Sequence, residues 1–218
     1  MKKINKIIIG TRNDGKFKEI CDLLPKNITK ISPRDLNLLS PDETGNTFEE
    51  NSKIKAEYFT KKTNLVAISD DSGLIIDLLS GAPGIYSSRW AGPTNDFNVA
   101  IEKIYNELKK IKFEWSKRKE IVARFISCLT LHWPNGKFIS STGIVEGRIS
   151  EIKKGTNGFG YDPIFIPFGY NKTFGEFNPQ EKLKINHRSK AFLKISNLFI
   201  NWFLKIGYQT LDRYLVYE

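Results

Sequence analysis

Apolar positions in the first 62 residues follow the patterns of one strand and two helices. Ile4 to Ile9 is a short run rich in β-branched side chains, and after a polar loop apolar residues recur at helical spacing, at Phe17, Ile20, Cys21 and Leu24. Thr47 and Glu50 have the spacing of a capping box. This spacing predicts a second helix from Thr47 to about Lys62.

The middle of the chain adds a buried strand and a third helix. Leu65 to Ile68 is a continuous apolar run, which predicts a strand that ends at the acidic pair Asp70-Asp71. Residues 81–84, Gly-Ala-Pro-Gly, predict a turn or loop. A helix should then start near Thr94 or Asn95, since one helical face would carry Phe97, Ile101, Ile104, Leu108 and Ile111.

The remaining sequence predicts a hairpin, a short strand and a long helix. Residues 121–133 and 137–147 read as strands joined at Pro134-Asn135-Gly136, because Asn-Gly is a strong hairpin signal. Residues 163–167 form another strand after the glycine-rich loop 155–161. The last helix carries a broad apolar stripe, Phe192, Ile195, Leu198, Phe199 and Trp202. Without a repeat, linker or low-complexity tract, the chain is expected to be one α/β domain over residues 1–218.

Composition and charge limit the class of protein. With 218 residues, 40% hydrophobic and 12% aromatic, the chain is typical of a globular protein. The formal net charge of +10 suits a polyanionic ligand, whether nucleotide, nucleic acid or anionic membrane. Because the lysines are scattered, a solvated surface explains most of this excess. The densest basic run, Lys109 to Lys119, is expected to be an exposed turn or helix end.

Cysteine content and apolar runs indicate the compartment. Cys21 and Cys128 stand far apart and form neither a disulfide framework nor a zinc motif. The run Ile7-Ile8-Ile9 is too short for a signal peptide, and no run approaches the ~20 apolar residues that cross a bilayer. We therefore expect a cytoplasmic, soluble protein with no membrane partner.

The loop at residues 10–16 has features of a phosphate site. It connects a strand to a helix, where free backbone N–H groups and the helix dipole favour an anion, and Lys16 adds a positive charge. The spacing matches a Walker A loop except that Phe17 stands where Ser or Thr should hold magnesium. The match could be accidental, the loop could be a plain turn with an exposed lysine, or a different phosphate site could use similar parts.

The acidic pair Asp70-Asp71 is the best candidate for catalysis. Two adjacent carboxylates at the end of a buried strand are costly unless a cation neutralises one of them. Mg²⁺ suits this position because it prefers one or two carboxylates with water and phosphate oxygens. Ser72 and Gly73 would allow close approach of the ligand. A helix N-cap formed by Asp-Asp-Ser is an equally good interpretation of this segment alone.

Other polar candidates fall in three segments: Asn51 and Lys55 on one helical face, the loop 155–162 with Phe159 and Tyr161, and the group Lys182, His187 and Arg188 just before the last helix. The first is an ordinary solvated face when considered alone. The second suits a mobile loop that stacks an aromatic ring on a base. In the third, a His beside an Arg at a helix start suits an anion or a carbonyl oxygen, although a lone His is usually structural.

Together, these segments resemble the inosine triphosphate pyrophosphatase family. The matching motifs are Thr11-x-Asn13-x-x-Lys16, Glu50-Asn51-x-x-x-Lys55-Ala56, Asp70-Asp71-Ser72-Gly73-Leu74, residues 81–87, residues 158–162 and His187-Arg188. They keep the family's order and spacing and span nearly the whole chain. The resemblance implies an elongated mixed α/β sheet in two lobes, with flanking helices, a central substrate cleft and usually a homodimer. It also implies hydrolysis of ITP, dITP and XTP to the monophosphate and pyrophosphate with Mg²⁺.

The resemblance assigns roles to individual residues. It places Thr11, Arg12, Asn13, Asp14, Gly15 and Lys16 on the triphosphate, and Phe159, Gly160, Tyr161 and Asp162 along the base and ribose. Lys182, His187 and Arg188 close the pocket around the base. Selecting a 6-oxo purine over adenine requires a donor aimed at the 6-oxo oxygen, and Arg188 is the natural candidate on chemical grounds. Asp71 becomes the metal-linked carboxylate that activates water, and Ser72 contacts the substrate. Glu43 becomes a second metal-side carboxylate, and Lys55 becomes a phosphate contact.

Two residues depart from the family pattern, and other functions stay open. Arg12 replaces a small residue, and Asn186 replaces the Ser that usually precedes His-Arg. Neither change removes a charge, but Arg12 could crowd the phosphate loop or add a contact. The roles of Asp70 and Arg89 are left open. Alternatives are a pyrophosphatase of pyrimidine or other nucleotides, a P-loop kinase or GTPase, which Phe17 disfavours, and a basic nucleic-acid-binding domain. We expect no nucleic-acid partner.

Overall fold

The computed structural model describes residues 4–111 and 120–204, with side chains up to Ser196. Six strands form one mixed sheet in the order β2-β1-β3-β4-β5-β6. Their bounds are β1 Lys6–Ile9, β2 Thr29–Ile31, β3 Val66–Ile76, β4 Val122–His132, β5 Phe138–Ile149 and β6 Phe165–Pro167. β1 is parallel to β2 and β3, and the remaining pairs are antiparallel.

Helices flank this sheet, with bounds α1 Asp14–Leu23, α2 Phe48–Thr63, α3 Phe97–Lys110, α4 Pro179–Ile185 and α5 His187–Leu204. Local polar side chains fix where the first three begin, because Asn13, Thr47 and Asp96 each accept a backbone N–H as N-cap. The predicted α/β class with a mixed sheet and flanking helices is confirmed.

The periodic segments have the structure that the sequence predicts. α2 begins after Thr47 and ends at Thr63, and α3 begins about two residues later than expected. The β4–β5 hairpin turns at residues 133–137, where the Trp133 N–H donates to the Lys137 carbonyl oxygen. Short elements were not predicted: β2, α4 and a 3₁₀ helix at Pro33–Leu36. Such elements have too few residues to show a period.

The predicted end of β3 is wrong. The strand does not stop at the acidic pair but continues to Ile76, so Asp70 and Asp71 lie inside it. The N-cap interpretation of this segment is also wrong, because backbone pairing with β4 is continuous from Ala67 to Ile76. The pair is therefore held within a strand by its pairing with Leu129 and Cys128 of β4, and not by a loop.

A polar band separates two of the apolar clusters of the interior. On one side, Val66 and Ile68 of β3 pack with Ile20 of α1, whereas on the other Leu74 and Ile76 pack with α3. Between the clusters, three neighbouring strands carry polar or small residues, Ser69–Gly73 on β3, Ser127, Cys128 and Thr130 on β4, and Ser140–Gly143 on β5. The two clusters correspond to the two predicted lobes, and the acidic pair lies where they meet.

Some predicted features lie outside the described residues. These are positions 112–119 of the basic run and the side chains of Leu198, Phe199 and Trp202, although the last helix itself extends to Leu204. Among the helices that the structure describes, none has the length and apolarity to cross a membrane.

Candidate active site

Strand geometry places the two carboxylates of the acidic pair on opposite faces of the sheet, since successive side chains of a strand alternate. Asp70 shares its face with Ile68 and Ser72, towards α1 and α5. Asp71 faces α2, as does Ala67, which packs against Phe59 of that helix. Adjacent residues of the same type therefore have different surroundings.

On the first face, Arg188 of α5 reaches Asp70 because the helix lies close to the sheet. A Cβ on Gly143 of β5 would be 2.0 Å from the His187 carbonyl oxygen, so glycine permits this approach. Nε of Arg188 donates to Oδ1 of Asp70 at 3.2 Å, and Nη2 donates to Oγ of Ser72 at 3.0 Å. The Arg188 side chain is fully buried.

Two more groups neutralise and orient Asp70. Nζ of Lys16 lies 3.0 Å from Oδ2, and Oγ of Ser127 donates to Oδ1 at 2.5 Å. Burial alone would raise the pKa of Asp70, but Arg188, Lys16 and the Ser127 hydrogen bond outweigh it and hold the pKa well below its ordinary value. Asp70 is therefore a carboxylate with both oxygens partnered, whose surroundings favour its ionised form.

A buried chain of charges extends from Asp70 towards the glycine-rich loop. Arg188 also donates to Glu19 of α1, whose other oxygen is 2.8 Å from Nζ of Lys182. Lys182 in turn lies 2.6 Å from Oδ2 of Asp162. Burial alone would lower the pKa of Lys182, but Asp162 and Glu19 raise it above its ordinary value. These alternating charges connect the phosphate loop, α5 and the glycine-rich loop.

On the second face, Asp71 has fewer partners. Nζ of Lys55 donates to Oδ1 of Asp71 at 3.1 Å and to Glu43 at 2.5 Å, so one lysine is shared by two carboxylates. Oδ2 of Asp71 is buried and has no hydrogen-bond partner among the described residues. Burial raises the pKa of Asp71 above its ordinary value and outweighs Lys55 and Lys16, which lower it, while Glu43 and Asp70 add smaller raising effects. Asp71 thus shares its one ion-pair partner with Glu43 and keeps one carboxylate oxygen unpartnered among the described residues.

The loop before α1 presents backbone N–H groups beside this pair. Asn13 accepts the Lys16 N–H at 3.0 Å, and Thr11 accepts the Asn13 N–H at 3.2 Å, which fixes the turn into the helix. The Lys16 side chain is only 17% exposed and is paired with Asp70. The interpretation of this loop as a plain turn with an exposed lysine is therefore wrong.

The glycine-rich loop brings an aromatic ring against the phosphate loop. A Cβ on Gly15 would lie 2.3 Å from the Phe159 ring, so the two loops are in direct contact. The Phe159 N–H donates to Asp162 at 2.8 Å, and the Tyr161 hydroxyl donates to the Ser87 carbonyl oxygen at 2.8 Å. Asp162 and Tyr161 are buried, whereas Phe159 is partly exposed and has Nζ of Lys182 4.7 Å from its ring centroid.

His187 is a neutral group in this environment. Its ring stacks on Phe125 with 4.8 Å between centroids, and its Nδ1 has no hydrogen-bond partner in the described part of the chain. Burial lowers the pKa of His187 well below its ordinary value, and Arg188 and Lys182 lower it further. The predicted arrangement just before the last helix needs one correction, since Lys182 lies in α4 while His187 and Arg188 are the first residues of α5.

Sequence comparison identifies the family. The sequence profile of the Ham1 family matches residues 7–198, most of the chain. The chain belongs to the Ham1 family. This confirms the family resemblance that the six motifs indicated.

Individual relatives are similar over almost their whole length. A protein of Rhodopseudomonas palustris named dITP/XTP pyrophosphatase is 42% identical over 201 residues, which cover 88% of this chain and 95% of the relative. The solved structure of a Ham1 protein from Coxiella burnetii has a TM-score of 0.79 at 35% identity and covers 90% of this chain and 98% of its own. The Ham1 protein of Staphylococcus aureus gives a TM-score of 0.75 at 34% identity, with 90% and 98% covered.

In this Ham1 chain, the predicted site residues converge from separate segments. Hydrogen bonds, ion pairs or ring contacts connect Lys16, Asp70, Ser72, Arg188, Lys182, Asp162 and Phe159 on one side, and Glu43, Lys55 and Asp71 on the other. Asp14 and Arg12 are exposed and point away from this network, with Asp14 paired to Arg34. The contacts of all these residues with a substrate stay predictions.

Sequence analysis missed three residues of the site. Glu19 has a weak signal, because it lies three positions after Lys16 and beside the inward-facing Ile20. Ser127 interrupts the alternation of Phe125 and Leu129 at inward positions of β4. Arg34, on the unpredicted 3₁₀ helix, has no such signal. The role of Arg89 was left open by the sequence. Its Nη2 donates to the backbone carbonyl oxygen of Glu43 at 2.9 Å and so helps to position Glu43.

Proposed function

We propose that this chain hydrolyses non-standard purine nucleoside triphosphates, ITP, dITP and XTP, to the nucleoside monophosphate and pyrophosphate. The names of its relatives support this, since those of 39–44% identity are named dITP/XTP pyrophosphatase. In the same proposal, the chain is one domain, forms a homodimer and acts in the cytoplasm.

One observation supports the proposal most directly: Oδ2 of Asp71 is buried and has no hydrogen-bond partner among the described residues. An unpaired buried carboxylate oxygen is costly, so such an oxygen is a sign of a ligand or cation that completes the site. The raised pKa of Asp71 has the same physical origin, because burial and neighbouring carboxylates disfavour its charge.

The donor set fits Mg²⁺. Asp71 and Glu43 would hold the ion, while Lys55 between them leaves this trio with a net charge of −1. The described residues bring no three His, Cys, Asp or Glu side chains into a metal cluster, which agrees with an ion that takes its other ligands from water and substrate phosphates. When bound, Mg²⁺ neutralises charge on the leaving pyrophosphate and lowers the pKa of coordinated water.

Within this site, each residue has one task. Asp71 orients the attacking water and accepts its proton on Oδ2, since a carboxylate with a raised pKa is a better base than an ordinary one. The Lys16 ammonium and those N–H groups of the loop that are not already engaged within it bind phosphate oxygens and hold the α-phosphorus in line with the water. Asp70, through its ion pair with Lys16, fixes where that ammonium lies.

Selection of the base is assigned to the residues around Phe159, at the end of the chain of buried charges that is nearest the glycine-rich loop. Phe159 stacks on the base, and the cations nearest its ring are Lys182 at 4.7 Å and Arg188 at 5.8 Å. A donor aimed at the 6-oxo oxygen accepts inosine and xanthosine, whereas the 6-amino group of adenine would face that donor with its own protons. Arg188 stays the proposed donor.

A substrate panel tests this function. Pyrophosphate and orthophosphate are measured separately for ITP, XTP, dITP, GTP, ATP and dTTP, with magnesium and with EDTA. The expected result is magnesium-dependent release of pyrophosphate from the first three substrates. Release of orthophosphate, or a preference for dTTP, would contradict the proposal.

A further inference from the structure

The geometry points to Arg34 as a positioning residue that holds the phosphate loop, residues 11–16, in its anion-binding form. Its guanidinium makes two contacts with that loop: Nη1 donates to the Asp14 carboxylate at 2.7 Å, and Nη2 donates to the Arg12 carbonyl oxygen at 2.7 Å. Arg34 is distant in sequence from the loop and contacts none of the catalytic carboxylates. This inference rests on the proposed function.

Sheet topology explains why Arg34 reaches the loop. β1 and β2 are parallel neighbours, so the segments that follow them leave the same edge of the sheet. The phosphate loop follows β1, and the 3₁₀ helix Pro33–Leu36 follows β2. Two successive turns beside one edge therefore face each other, with Arg34 extending from one to the other.

The 3₁₀ helix is a rigid support for this contact. Ser32 and Asp35 form a complete capping box at its start, and Pro33 fixes its first backbone angle. At its end, the Asn37 and Leu38 N–H groups donate to the carbonyl oxygens of Arg34 and Pro33. The backbone of Arg34 is thus held at both ends, which reduces the entropy lost when its side chain docks on the loop.

Both contacts engage acceptor oxygens of the loop, the Asp14 carboxylate and the Arg12 carbonyl, which would otherwise repel a phosphate. Asp14 is in the first turn of α1, where its carboxylate would compete with a phosphate for the helix dipole and N–H groups. Arg34 holds this carboxylate on the outside, where its side chain is 82% exposed. By fixing the Arg12 carbonyl oxygen as well, Arg34 leaves the N–H side of the loop for the anion.

The test compares two exposed Arg–Asp pairs of the same chain. Arg34→Ala removes the two contacts with the phosphate loop. Arg124→Ala removes the ion pair between Arg124 of β4 and Asp77, which has a similar N–O distance of 2.6 Å. For Arg34→Ala we expect a KM for ITP raised about tenfold with kcat within twofold of the unchanged chain, and Arg124→Ala should change neither. Affinity for inorganic tripolyphosphate should fall by a similar factor, whereas affinity for IMP should change less.

The Asp14 carboxylate provides a second, independent variant. If Arg34 acts by shielding this charge, Asp14→Asn combined with Arg34→Ala should recover part of the tripolyphosphate affinity that Arg34→Ala alone loses. Equal losses for tripolyphosphate and IMP, or no loss, would overturn the inference. Failure of the unchanged chain to bind tripolyphosphate would overturn it too, whereas tripolyphosphate binding without ITP turnover would overturn only the proposed function.

Discussion

The two faces of β3 treat neighbouring aspartates in opposite ways. Asp70 is surrounded by Arg188, Lys16, Ser127 and Ser72, and its pKa lies well below the ordinary value. Asp71 shares one lysine with Glu43, keeps an unpartnered oxygen and has a raised pKa. One residue apart in sequence, the first carboxylate is fully compensated and the second is not.

This difference separates positioning from chemistry. A carboxylate with every oxygen paired can hold Lys16 and Arg188 in place, but it has no free electron pair of high basicity for a proton. A buried carboxylate oxygen without a partner lowers the stability of the folded protein but remains free to accept a proton. Such a trade-off between stability and activity is expected at an active site. The sheet keeps the two roles apart because alternation turns them to different faces.

The largest expected effect is the loss of catalytic rate when Asp71, on the other face of β3, is replaced. Asp71→Asn should lower kcat for ITP by about 10²- to 10⁴-fold, because the variant has no base at this position, while the unfolding transition in urea stays cooperative. Steady-state kinetics and urea titration measure the two properties. Asp77→Asn, an exposed carboxylate, is the control and should stay within twofold in rate. An Asp71→Asn rate near that of the unchanged chain would remove Asp71 from catalysis.

On the face of β3 that carries Asp70, substitutions should mainly lower the free energy of unfolding. Arg188→Met leaves Asp70 and Glu19 buried without their shared cation, which should cost about 3 to 5 kcal/mol in the free energy of unfolding. Arg124→Met breaks an exposed pair and should cost at most about 1 kcal/mol. Urea unfolding of both variants measures the difference, and similar costs would show that the buried network adds no stability.

Removing a single hydroxyl group should also cost more stability beside Asp70 than on the α2 face, although both losses should be smaller. Ser127→Ala removes a hydrogen bond to the ionised Asp70, worth about 1.5 to 3 kcal/mol. Ser52→Ala removes a neutral hydrogen bond to Thr130 on the α2 face, worth about 0.5 to 1.5 kcal/mol. Thermal or urea unfolding ranks the two variants, and a larger loss for Ser52→Ala would contradict the assignment of Asp70 as the charged partner.

The pH dependence of stability should have opposite signs for the two aspartates. A lowered folded pKa gives Asp70 a stabilising contribution above about pH 3.9, the unfolded value, which is lost as pH falls through the folded pKa. A raised folded pKa makes ionised Asp71 unfavourable, and this cost grows as pH rises from about 3.9 through the folded pKa.

Matched amide variants in magnesium-free buffer test this sign difference. At pH 7, Asp70→Asn should be less stable than the wild-type chain and Asp71→Asn more stable. As pH falls, the Asp71→Asn difference should disappear by about pH 3.9, whereas the Asp70→Asn difference should shrink only below about pH 3.9. Urea titrations from pH 3 to 7 measure them. Differences of the same sign would mean that the two faces do not differ electrostatically.

Long, periodic segments of this fold could be predicted from sequence, and the polar interior could not. α2 and the β4–β5 hairpin follow from a cap, a turn and their apolar spacing, which are all local signals. β3 was ended too early because Ser69 to Gly73 interrupt its apolar run, and only pairing with polar rows of β4 and β5 permits those residues to stay in a strand.

Site residues followed the same division. The motif residues were identified because the family pattern is written in consecutive positions. Glu19 was missed because its burial depends on Lys182 and Arg188, more than 160 residues away in sequence. A carboxylate on an exposed helix and one in a buried charge network look alike until the partners are known.

The strands that cross the polar band also limit how this protein can move. Backbone pairing runs without interruption from Ala67–His132 to Ile76–Ala123 between β3 and β4, and along the whole of β5 beside them. These three paired strands extend through both apolar clusters. A hinge between the clusters would have to bend the strands near Asp70 and Asp71 and would break several of the hydrogen bonds between them. Continuous strand pairing therefore opposes a hinge between the two apolar clusters.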